Sequence, residues 1–239
     1  MTVDPGLDTR RIAAAARSIL ACPAGVDLVV DGLDASYADV ELREDRDRPL
    51  LSCPAGAPLA MAAAERRGAV LTVTSGVGRP GAPERDAIVT LSGRLDAVAL
   101  DECRCCDEVR VQVALHLDLV LLARAGLLAR SPEAPRLRVP LPAFTSAEHD
   151  LNRGFLQRSA EHADLCHQEE LRRAIATRTQ TRLGDVIGVQ LADLRPDGVT
   201  LRWVDASGAH AAELRFARAA ADAEELGELL RAELHAGLC

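Results

Sequence analysis

Imidazole is the side chain best suited to bind a metal or move a proton near neutral pH, and this chain of 239 residues carries six. His162 and His167 sit in a stretch of helical periodicity that begins near Leu156 and has an apolar face drawn by Leu156, Ala160, Ala163, Leu171 and Ala174. On a helical wheel His167 points along that face, whereas His162 is displaced by more than about a quarter turn. His210 follows the turn Asp205-Ala206-Ser207-Gly208 and alternates with Ala212, Leu214 and Phe216 on one face of a strand, so the spacing predicts a core-facing imidazole in need of a partner. His149 falls in a polar segment and reads as solvated. His235 opposes the stripe Leu226, Leu229, Leu230 and Leu234 of a terminal helix and reads as exposed.

All 28 basic residues are arginine, so a lysine Schiff base is excluded, and any carboxylate ligand must be held by guanidinium, hydroxyl or backbone donors. Arg94, beside Gly93, is the foremost candidate, with Arg79 second. The net charge of −8 and the lack of a basic tract argue against a nucleic-acid partner. Seven cysteines without an export signal read as reduced thiols. Cys103, Cys105 and Cys106 lack the second ligand pair of a zinc site. No apolar run is long enough to cross a bilayer, so the expectation is a cytoplasmic protein with no membrane partner. No dinucleotide-binding glycine fingerprint or phosphate-binding loop is present.

Apolar spacing predicts a helix over Asp8–Ala21, a second near Pro58–Arg67 and a third over about Cys106–Ala129. Strand-like runs cover Val26–Val30, Tyr37–Leu42, Pro49–Cys53, Ala69–Ser75, Asp86–Ala99 and Leu137–Leu141. Asp31-Gly32, Asp45-Arg46-Asp47 and Gly76 through Pro83 supply turns, and Ser131-Pro132-Glu133-Ala134-Pro135 reads as a surface turn. Six short strands with helical insertions predict a small barrel over residues 1–147, followed by a second domain over 148–239.

Three motifs carry a resemblance. Glu161-His162-Ala163-Asp164-Leu165 on a helix, the hairpin Asp197-Gly198-Val199-Thr200-Leu201, and the strand Leu214-Arg215-Phe216 resemble the small C-terminal domain of HugZ-type haem-binding proteins. Val89-Thr90-Leu91-Ser92-Gly93 resembles a strand of the split barrel that accompanies it. The implied fold is α+β: a split β-barrel of the flavin- and pyridoxamine-phosphate-oxidase type, then a small α/β C-terminal domain. The resemblance implies haem b as cofactor, with His162 as the axial-ligand candidate, His210 and His167 as alternatives, and Arg94 near the propionates. It also implies a homodimer.

Divergence from the histidine-rich form of the motif (Ser159-Ala160-Glu161), in an arginine- and alanine-rich chain of actinobacterial type, points to specialised metabolism. The expectation is a haem-dependent piperazate synthase, closing the amino-acid-like substrate N5-hydroxyornithine through an N–N bond. A HugZ-type haem-degrading oxygenase and a non-enzymic haem sensor or regulator of tetrapyrrole synthesis are the alternatives. A flavin oxidoreductase is disfavoured by the scarcity of aromatics.

Overall fold

The computed structural model describes residues 5–33, 40–45, 48–102, 109–123 and 136–235. The Cys103, Cys105 and Cys106 cluster, the Tyr37 end of one expected strand, the Arg46-Asp47 turn and the Ser131–Pro135 turn lie outside them. The chain divides into two compact units, Met1–Gly154 and Phe155–Cys239, so Glu148 through Gly154 belong with the first.

The first unit opens with α1 (Pro5–Ala21), which buries Ile12, Ala13, Ala16, Ile19 and Leu20 on one side. There follow β1 (Pro23–Val30), β2 (Glu41–Asp45), β3 (Arg48–Pro54), α2 (Pro58–Ala64), β4 (Gly68–Ser75), β5 (Ile88–Glu102), β6 (Val109–Ala123), β7 (Arg136–Arg138) and the single turn α3 (Leu141–Phe144). The strands form one antiparallel sheet in the order β1-β4-β5-β6-β3-β2, with β7 also on β6. One edge of β6 pairs with β3 over its first half and with β7 over its last three residues, so the sheet is split along that edge. A single core takes Leu28 and Val30 from one end of the strand order and packs against Leu42 from the other. A sheet whose two ends meet in one core must curl, and the first unit is a split β-barrel.

Period-2 alternation explains the register. Leu28, Leu71, Leu91 and Val120 form one row across four strands, and all are buried. The helix expected over Cys106–Ala129 is instead β6 where it is described. Its inward residues are Val111, Val113 and Leu115 before a β-bulge at Asp118, and Val120 and Leu122 after it. The inserted residue shifts the alternation from odd to even positions, and a stretch whose phase slips in this way mimics helical spacing. Gly93 lies opposite that bulge, where a Cβ would come within 1.8 Å of the His116 carbonyl oxygen. The expected strand at Leu137–Leu141 is likewise cut short, because Pro140 and Pro142 start α3.

The second unit is small and α/β. It comprises α4 (Arg153–Cys166), whose first two residues fall in the first unit, α5 (Gln168–Thr179), β8 (Gly188–Arg195), β9 (Gly198–Asp205), β10 (Gly208–Arg215) and α6 (Ala223–His235). The strands form an antiparallel meander, and α5 packs on β8 and α6 through Leu171 and Ile175. Among the described residues no helix is long and apolar enough to cross a membrane.

Candidate functional site

The first unit contains a cavity of about 670 Å³. Its wall is mainly apolar, with Ala14 and Ile19 of α1, Val77, Leu122 of β6, and Leu151. Glu84, Glu148 and Arg153 supply its charges, and His149 its imidazole.

His149 was expected in solvent and is instead 6% exposed. Phe144 is completely buried and anchors α3, and Ser146 then caps the short 3-10 turn Ala147–His149, its Oγ accepting from the Glu148 amide at 3.4 Å. The His149 amide donates to the Ser146 carbonyl at 3.1 Å, and Asn152 Nδ2 donates to the His149 carbonyl at 2.9 Å. These bonds hold the backbone and do not engage the ring. Nε2 is shut off from solvent and has no hydrogen-bond partner among the described residues, although Glu148 Oε1 lies 3.5 Å away. Burial pushes the imidazole pKa below its ordinary value, Glu148 pulls the other way, and Arg17 and Arg10 add to the depression. At neutral pH the ring is therefore neutral, with a lone pair to offer a metal. The polar segment around this residue carries no signal in the sequence for which way the turn faces.

The histidines singled out by sequence are placed otherwise. His162 is exposed on α4. His167 does not share that helix: it stands at the break between α4 and α5, half exposed, with Nδ1 3.1 Å from Glu170 Oε2. The break ends the periodicity that had aimed it at the core, which corrects the expectation of a buried ring. The His162 and His167 rings meet edge to face with centroids 5.2 Å apart. Asp164, from the same motif, has a structural role, accepting the Leu191 amide at 2.7 Å and so tying α4 to β8.

His210 does head the row of Ala212, Leu214 and Phe216, at the half-buried end. Its partner is a carboxylate: Nε2 lies 2.9 Å from Asp205 Oδ1 and 3.0 Å from Ser207 Oγ. The ring stacks on Trp203, its cross-strand neighbour, at 5.2 Å. Bonds from Ser207 and His210 hold the Asp205 carboxyl well below the usual range. Both bonds use the same ring nitrogen, so this is not a relay of the catalytic-triad kind. Arg94 is exposed on β5, in register with His116, whose Nε2 lies 3.4 Å from Asp96 Oδ2. No group of three or more metal-binding side chains occurs among the described residues.

A haem needs apolar walls for its macrocycle, an imidazole or equivalent for iron, and donors for its propionates. The cavity of the first unit brings together an aliphatic lining, His149 and Arg153, the kinds of side chain that hold such a group.

No protein-family model matches the chain, and no curated protein matches it. Among solved structures, the chain is similar to a heme binding protein from Mycobacterium smegmatis, at 15% identity and a TM-score of 0.43 over 99% of both chains. It is also similar to a protein of unknown function from Agrobacterium tumefaciens, at 16% identity and a TM-score of 0.39 over 96% of this chain and 98% of that one. A putative general stress family protein from Xanthomonas campestris matches 52% of this chain and 92% of its own, at 15% identity and a TM-score of 0.36. At these TM-scores the likeness does not bear on function.

Proposed function

We propose that the protein binds one haem b per chain in the cavity of its first unit, with His149 as the iron ligand and Arg153 as a propionate partner. The observation that carries this reading is the buried, neutral and unpartnered His149 Nε2 beside a largely apolar cavity of about 670 Å³. Leaving such a nitrogen unsatisfied is costly, and ligation would satisfy it. This moves the proposed ligand from His162, the residue that the family resemblance implies, to a histidine of the barrel unit.

The finer reading is that the haem serves the ring closure of N5-hydroxyornithine to piperazate, as the sequence resemblance implies. In that reaction the N–O bond breaks, an N–N bond forms to the α-amine and water leaves, so no external reductant is used. Bound haem would supply a Lewis-acidic iron at the hydroxylamine oxygen. The cavity itself would bring the two nitrogens together and limit water. Glu84, on the same wall, offers a carboxylate that suits the ammonium end of an amino-acid-like substrate. Val29 and Val70, exposed neighbours on β1 and β4, support the homodimer through an apolar patch.

Haem titration followed at the Soret band tests the binding, with His149→Ala compared against His162→Ala and His210→Ala. Loss of the iron–imidazole signature in resonance Raman only for His149→Ala is expected; its loss only for His162→Ala or His210→Ala would move the ligand to the second unit. Anaerobic incubation with N5-hydroxyornithine should give a product lighter by one water. Bleaching of the Soret band with ascorbate in air, without that product, would assign the oxygenase reaction instead, and neither outcome would leave haem sensing.

A further inference from the structure

Arg17 of α1 is 1% exposed, a full positive charge inside the first unit, and it does not line the cavity. Its guanidinium donates to the Phe144 carbonyl at 3.0 Å, the Ser146 carbonyl at 3.4 Å and Asp150 Oδ1 at 3.0 Å. It also donates to the Glu44 carboxylate and lies over the Phe144 ring. Ser146 and Asp150 bracket His149, so one side chain grips the short turn on both sides of the imidazole. Asn152, itself buried, closes the circuit: it hydrogen-bonds the Glu44 carboxylate and donates to the His149 carbonyl at 2.9 Å. Helix α1, strand β2 and the His149 turn are thus tied through a single cationic hub.

We propose that Arg17 and Glu44 are positioning residues for His149, fixing the short turn that carries its imidazole at the cavity wall. The proposal rests on reading that cavity as a ligand site. Neither residue touches a ligand, and both act through the His149 backbone. The hub carries one buried cation and two carboxylates, Glu44 and Asp150, so Glu44 can hold a proton without leaving Arg17 uncompensated. Burial pushes the Glu44 carboxyl up to about 7 against the opposing pull of Arg17 and Asn152, with Asp150 adding to the rise. The charged groups around His149 itself are Glu148, Arg10, Arg17 and Asp150.

The test uses the full chain with wild type, Arg17→Lys and Glu44→Gln, each shown to be folded by circular dichroism. Hemin affinity and the iron–imidazole signature are measured from about pH 5.5 to 8.5, and the His149 ring resonance is followed by NMR without ligand. Arg17→Lys should weaken hemin binding by roughly tenfold or more, as loss of outer-shell support does at metal sites. Glu44→Gln, which removes the charge that Arg17 donates to, should also weaken hemin binding and move the His149 resonance at the upper end of that pH range. A folded Glu44→Gln protein with wild-type hemin affinity and an unmoved His149 resonance would overturn the proposal, even if Arg17→Lys failed to fold. The NMR arm separates the two readings: if His149→Ala leaves hemin binding and the iron–imidazole signature intact, the assignment of His149 as ligand falls, and the His149 resonance of the Arg17→Lys and Glu44→Gln proteins still decides the positioning role.

Discussion

Replacing Glu44 by Gln should change how stability depends on pH. The carboxyl is carried from 4.5 to about 7, with burial the leading cause, and at 8% side-chain exposure solvent does little to screen it. A carboxyl raised in this way keeps its proton in the folded chain after the unfolded chain has released it. Its stabilising contribution is fully present below the unfolded pKa near 4.5 and is lost as the pH rises through about 7. At about 1.4 kcal/mol per unit, the shift corresponds to about 3 kcal/mol across that window. His149 works in the opposite direction. Its folded pKa is depressed, so falling pH favours the unfolded chain as that chain takes up the proton first. The wild-type curve therefore sums two slopes of opposite sign, and subtracting the Gln variant isolates Glu44. Urea unfolding at pH values from about 5 to 8, followed by circular dichroism, makes the measurement; Trp203, the sole tryptophan, belongs to the other unit and does not report on this one. The variant should match wild type near pH 5 and gain on it towards pH 8 by up to about 3 kcal/mol. A difference that does not vary with pH would refute the reasoning.

Gly93→Ala should destabilise the barrel by about 1–3 kcal/mol in thermal or urea unfolding, because the new methyl would meet the His116 carbonyl oxygen at the bulge. Phe144→Ala should cost about 3–5 kcal/mol and also weaken hemin binding, since the ring anchors the segment leading to His149. Asp164→Ala should cost about 1–3 kcal/mol in the second unit, seen as faster hydrogen exchange at the Leu191 amide, with hemin affinity of the first unit unchanged.

Much of the architecture was legible locally. Helix α1, strands β1, β3, β4 and β5, and helix α2 follow from apolar spacing and from turn formers that act within a few residues. The same holds for the cross-strand placement of His210, because the turn at Asp205–Gly208 sets the phase of the strand after it. The all-arginine complement of cations and the net charge of −8 are also properties of the chain alone.

What only the tertiary structure decided concerns phase and direction. The bulge at Asp118 is defined only by pairing with a neighbouring strand, and the phase slip that it introduces makes the two halves of β6 read as one helical pattern in the sequence. The α4–α5 break at His167 turned a predicted core imidazole into an exposed one, while Leu171 and Ile175 beyond the break are buried. Arg17 looks in sequence like any other charge on a helix, and it is buried because Glu44, Asp150 and the carbonyls of Phe144 and Ser146 come from distant parts of the chain. His149 is the sharpest case. Its polar neighbours predict solvent, but burying a side chain is a property of the walls around it, and those walls come from α1, β6 and the turn after β4, more than twenty residues away in sequence.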